Sequence, residues 1–266
     1  MKTQVRLNSV VAHGVGSGPE SAAIDLIYIY LLHEFGQDIY RWIVINQVGD
    51  DLNEFVMLEP GNKVHVNIRY PAHEDFETKS TAEKNRIRLD VMHKALLRVS
   101  EYDKKLEIGK LDAIRRKILD NDFSFDFVLK QHVNKKNPSL IAKIIVHPLM
   151  DKFIYQVAIE ENGIIRCRQI IFTGIPSYFY ADMYFYYGKW KSDNEFIIWG
   201  KEKTVETRIT IDKCAVDVIN LTGYSRPPYY TLMRIDATKE ERVQADKDYQ
   251  HSLHPAVAAI LRQANN

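Results

Sequence analysis

The spacing of apolar positions changes from mixed to helical and then to strand-like along the chain, and those changes define the expected elements. Val5 to Ala12 carries strand-forming residues and runs into a glycine-rich turn, His13-Gly14-Val15-Gly16-Ser17-Gly18-Pro19. A helix is expected from Glu20 to about Phe35, with Gly36 closing it as a residue suited to the left-handed region. Two or three strands follow, at Ile39 to Val48, Glu54 to Leu58 and Lys63 to Tyr70, separated by Asp50-Asp51 and Pro60-Gly61-Asn62. Ser80 and Glu83 have the spacing of a capping box. They open a long helix whose apolar side repeats at Ile87, Val91, Ala95, Val99, Tyr102 and Leu106, with Gly109 as its break. Leu111, Ile114 and Ile118 predict a shorter second helix ending at Asn121.

From there the period becomes two. Phe123, Phe125, Phe127 and Leu129 alternate with Ser124, Asp126, Val128 and Lys130, as in a half-buried strand. Leu140 to Val146 is a continuously apolar strand, and Phe153 to Ile159 alternates again. Asn162-Gly163 then predicts a tight hairpin into Ile164 to Phe172, because both central residues of a type I′ turn need positive φ. Glu195 to Trp199, Val205 to Ile211 and Tyr229 to Ile235 read as further strands. Thr238 and Glu241 form a second capping box before a polar helix to about Gln250, and Pro255 to Arg262 suggests a terminal helix. The expected fold is α+β: an N-terminal β-α-β-β-β unit and a helix pair, then an antiparallel meander with amphipathic helices packed on it. With no repeat and no Gly/Ser linker, residues 1–266 read as one domain with a mixed half 1–121, a β-rich half 122–236 and a helical segment 237–266.

Composition narrows the class. The formal charge of +1 over 266 residues argues against a dedicated nucleic-acid binder, whose domains are usually strongly basic. Ala22 to Phe35 is the most apolar helical stretch, and it is too short and too interrupted by Asp25, His33 and Glu34 to cross a bilayer. The first residues lack the pattern of a secretory leader, and two cysteines cannot make a disulfide framework for this length. The expectation is a cytoplasmic protein with Cys167 and Cys214 as buried free thiols.

A strand, Gly14, Gly16, Ser17 and Gly18, and then a helix start could cradle an anion, yet Pro19 and Glu20 stand where phosphate motifs need glycine or lysine. No Gly-x-Ser-x-Gly, His-Glu-x-x-His or Cys-x-x-Cys occurs, so neither a hydrolase nucleophile nor a zinc signature is readable, and no cofactor is implied. Lys84 to Arg88, Arg115-Arg116-Lys117 and Lys130 to Lys136 are basic clusters that read as solvated faces. The distinctive feature is the aromatic run Tyr178 to Trp190, with a smaller echo at Tyr229 and Tyr230. Tyrosine and tryptophan serve both core and interface, so the run either crosses the core or presents a surface. The reading preferred is a non-catalytic protein-binding protein of immunity or adaptor type. Its partner would be another protein, with a homo-oligomer compatible, contacted through Tyr178, Tyr180, Tyr184, Tyr186, Tyr187, Trp190, Tyr229 and Tyr230. The alternative is an enzyme or small-ligand binder using Gly14 to Gly18 for an anionic or phosphorylated group.

Overall fold

The computed structural model describes residues 2–9, 21–71, 75–176, 184–201, 203–222 and 228–252. Among them are five α-helices and twelve strands in three sheets, an α+β fold. Contacts gather the chain into two compact units, one of residues 1–127 with 147–153, the other of 128–146, 154–175 and the described residues from 184 on.

The first unit holds β1 (Gln4–Ser9), α1 (Ala22–Glu34), β2 (Trp42–Val48), β3 (Phe55–Glu59), β4 (Lys63–Arg69), α2 (Thr81–Asp103) and α3 (Ile108–Asp120). Its strands lie in the order β1-β2-β4-β3, with β1, β2 and β4 parallel and β3 antiparallel to β4. Alternation puts Val5, Leu7, Ile43, Ile45, Val64, Val66 and Ile68 on one buried face, and α1 and α2 pack on β1 and β4. Helix α1 is buried from Ala22 to Ile29 and again at Leu31 and Leu32, which is why it is apolar on every side. The Ser80–Glu83 capping box forms, with Ser80 Oγ accepting from Glu83 N–H and Glu83 Oε2 accepting from Ser80 N–H. The helix ends at Lys104, in the left-handed region at φ 58°, and not at Gly109, which lies inside α3. Tyr102, expected on the buried stripe, is accordingly exposed.

The second unit holds β5 (Phe127–Val133), β6 (Leu140–Pro148), β7 (Phe153–Glu161) and β8 (Ile164–Gly174) in sequential order. A second antiparallel meander contains β9 (Tyr187–Ser192), β10 (Glu195–Trp199), β11 (Val205–Thr210) and β12 (Ala215–Asn220). Asn162 and Gly163 both have positive φ, 53° and 81°, so the expected two-residue hairpin joins β7 to β8. After it come α4 (Pro228–Met233) and α5 (Lys239–Ser252), the latter opened by the Thr238–Glu241 capping box.

Four sequence expectations are corrected. The strand expected from Phe123 begins at Phe127, because Asp122 and Phe123 adopt φ of 46° and 60° in a turn that ends α3. The strand expected at Tyr229 to Ile235 is α4, started by Pro228, whose fixed φ suits a first helical turn. Strands β9 and β12 had no counterpart in the apolar pattern. Cys167 and Cys214 are not free thiols; they are joined as a disulfide between β8 and the turn before β12. The helix expected at Pro255 to Arg262 and the glycine-rich turn His13 to Pro19 lie outside the described residues. No described helix is long and apolar enough to cross a membrane.

Candidate functional site

The aromatic run divides at Tyr184. Tyr184 itself is only 4% exposed, with its ring 5.7 Å from Phe172, while Phe185 packs 5.1 Å from Tyr155. This end of the run is core, so Tyr184 does not offer its ring at a surface. Tyr186 is half-buried beneath two ammonium groups, Lys130 Nζ at 3.5 Å and Lys201 Nζ at 4.4 Å from its ring centroid. Tyr187 is 43% exposed and stacks on Trp199, its cross-strand partner on β10, at 5.9 Å. Trp190 is half-buried against Phe196 at 5.1 Å, and its indole N–H donates to His132 O at 2.8 Å. Tyr229 and Tyr230 fall on α4. Tyr178, Tyr180 and the anion-binding candidates Gly14, Gly16, Ser17 and Gly18 lie outside the described residues.

What β9 does bring together is a cleft of about 820 Å³ within the second unit. Residues 131–136, from the end of β5 and the loop after it, form one wall; residues 187–193 and Trp199 form the other. That volume falls in the range of ligand sites, roughly 300–1,000 Å³. The walls approach because position 188 has no side chain: a Cβ on Gly188 would stand 2.6 Å from Phe196 Cζ and 2.7 Å from the His132 ring. Burial, reinforced by the Lys130 charge, lowers the pKa of His132, and its Nε2 is buried with no hydrogen-bond partner among the described residues. The neutral ring therefore acts as a packed wall at neutral pH.

The rim of the cleft is cationic. Lys135, Lys136, Lys189 and Lys191 are all exposed, and none has a carboxylate partner among the described residues. The one acid lining the cleft, Asp193, is already engaged by the side-chain amides of Asn134 and Asn137 at 2.8 and 3.5 Å. Sequence reasoning missed Lys189, Lys191 and Trp199, and it treated Lys135 and Lys136 as part of a solvated cluster. The available signal was the alternation Tyr187, Lys189, Lys191 against Gly188 and Trp190, which marks a strand with a cationic side.

Chemically the cleft can hold an anionic, partly apolar surface. Of the hydroxyls that line it, Ser192 Oγ accepts from Asn194 N–H, and no side-chain base bonds to it among the described residues. Among the described residues no cluster of three or more His, Cys, Asp or Glu could hold a metal ion. Compared with family models, curated proteins and solved structures, the chain matches none.

Proposed function

We propose that the protein is a non-catalytic binding protein whose partner is another protein, recognised through an acidic segment seated in the cleft between β5 and β9. The observation that carries this reading is the set of four unpaired lysines around Tyr187, Trp190 and Trp199. Carboxylates would meet the ammonium groups at the rim while an apolar residue covers the aromatic floor, the usual division between polar rim and aromatic centre. A single-stranded nucleic acid fits less well. Its bases need free ring faces, whereas Tyr187 and Trp199 stack on each other and Trp190 packs on Phe196. The formal charge of +1 over the whole chain gives no broad basic field either. The Cys167–Cys214 disulfide favours an oxidising compartment over the cytoplasm expected from the cysteine count.

The test is fluorescence anisotropy of a labelled acidic peptide containing one phenylalanine, compared with a twelve-residue oligothymidylate. The peptide should bind, its affinity falling with added salt, and Lys189→Glu with Lys191→Glu should weaken it by about tenfold or more. Binding of the oligonucleotide alone, or a peptide affinity untouched by the charge reversal, would overturn the proposal.

A further inference from the structure

Sheet edges carry unpaired backbone groups, and proteins protect them. Five of the six outer strands in the three sheets are tied to another element. On β1, Leu7 N–H donates to Asp25 Oδ1 and Leu7 O accepts from Ser21 Oγ, both at 3.1 Å. Side chains bridge β5 and β9: His132 O accepts from Trp190 Nε1, and Tyr186 O, just before β9, accepts from Lys130 Nζ, each at 2.8 Å. The Cys167–Cys214 disulfide ties β8 to the start of β12.

The sixth is different. Strand β3 lies at the end of the order β1-β2-β4-β3, and no described side chain bonds to the backbone of residues 55–59. It has none of the usual deterrents, such as lysine, proline or a bulge. Instead Phe55, Met57 and Leu58 are each more than 40% exposed, so both faces of the strand end in apolar side chains at the open edge. We infer that β3 is a strand-addition site, where an extended segment of another polypeptide pairs with the sheet.

Charge selects the occupant. Asp50 and Asp51, exposed and without an ion pair among the described residues, precede the strand with Glu54, and Glu59 ends it. Three cations lie near, and two are committed: Arg69 Nε donates to Leu52 O, and Lys94 Nζ donates to Arg69 O and sits 4.0 Å from Glu54. Lys63 is the third, and His65 faces Glu59 at 3.4 Å. The edge is thus acidic at its start, where Asp50 and Asp51 stand without an ion pair among the described residues, while Glu59 at its end is met by Lys63 and His65. A second copy adding through its own β3, antiparallel about a two-fold axis, would bring to this end a strand that has no lysine or arginine of its own. The occupant that fits is a heterologous segment with alternating apolar residues and Lys or Arg where it meets Asp50 and Asp51.

The probe is an acetylated nonapeptide, Lys-Lys-Val-Thr-Val-Thr-Val-Lys-Lys, added to the full-length protein and followed by amide hydrogen exchange. Exchange should slow at residues 55–59, while an analogue with proline at its centre leaves them unchanged. Met57→Lys should weaken binding by about tenfold at an unchanged thermal midpoint, as should Asp50→Lys with Asp51→Lys. Lys189→Glu with Lys191→Glu should have no effect, which separates this edge from the β5–β9 cleft. Absence of protection at β3, or equal protection by a glutamate-flanked peptide, would overturn the inference. So would concentration-dependent protection of β3 without peptide, which would make the occupant a second copy.

Discussion

Tyr184 and Tyr187 stand three positions apart in one aromatic run, yet their rings meet different surroundings. Truncating Tyr184 removes a ring from a cluster containing Phe172 and Phe185, leaving a cavity where little can collapse. Tyr184→Ala should therefore cost about 3–5 kcal/mol of stability, the range for buried aromatic truncations, read as a lower urea midpoint. Tyr187 loses its stack on Trp199 and little burial, so Tyr187→Ala should cost about 0.5–1.5 kcal/mol. Its larger effect should be on binding of the acidic peptide. A reversed pattern, with Tyr187 destabilising and Tyr184 silent, would remove the aromatic floor from the cleft. Composition alone could not separate the two, because residue type is the same and only the neighbours differ.

At the scale of elements, the disulfide is the strongest constraint that the chain pattern concealed. It closes a loop with a sequence separation of 47, for which the chain-entropy relation gives about 4 kcal/mol. Reduction, or Cys167→Ser with Cys214→Ser, should lower stability by about 2–4 kcal/mol, and the double variant should then be insensitive to reductant. Equal urea midpoints with and without reductant would show that the cross-link contributes nothing. The elements legible in the sequence were those set by neighbours along the chain. Asn162-Gly163 needs only two backbone angles, and Ser80–Glu83 and Thr238–Glu241 need only four residues. What stayed hidden depends on distant partners. Cys167 meets Cys214 only once two meanders are in place, and β9 becomes a strand by pairing with β10 despite an aromatic run without apolar alternation. The lysines of the cleft lie more than fifty residues apart, one pair in the loop after β5 and the other on β9, so each read alone as a solvated charge. Tyr229 to Ile235 failed for the opposite reason: its β-forming residues were overruled by a helix starting at Pro228.

For the molecule as a whole, three titratable groups, buried Asp25 and half-buried His93 and His132, set opposing dependences on pH. His93, on α2, has its pKa lowered by burial, with Arg115 adding to the shift and Asp112 opposing it. His132, in the second unit, is lowered by burial and Lys130. For both, the unfolded chain binds a proton more readily than the folded one, so their contribution is intact above about pH 6.5 and is lost as pH falls toward the depressed folded values. Asp25 works in reverse. Burial raises its carboxyl well above the ordinary value, against the pull of Leu7 N–H, Arg6, Ser21 and Arg88. Its contribution is complete below the unfolded value near 3.9 and declines as pH rises through the raised folded one. Acidification from neutral pH should therefore weaken the protein first through the histidines, while Asp25 progressively restores part of the loss. Stability measured by urea unfolding across this range should fall less steeply in His93→Gln with His132→Gln. In Asp25→Asn the loss on the acid side should be steeper, because the compensating proton uptake is gone while the histidine protons remain. An Asp25→Asn profile parallel to the wild type would mean that the carboxyl titrates alike in both states, and the ionised group would then be a fixed bridge between β1 and α1.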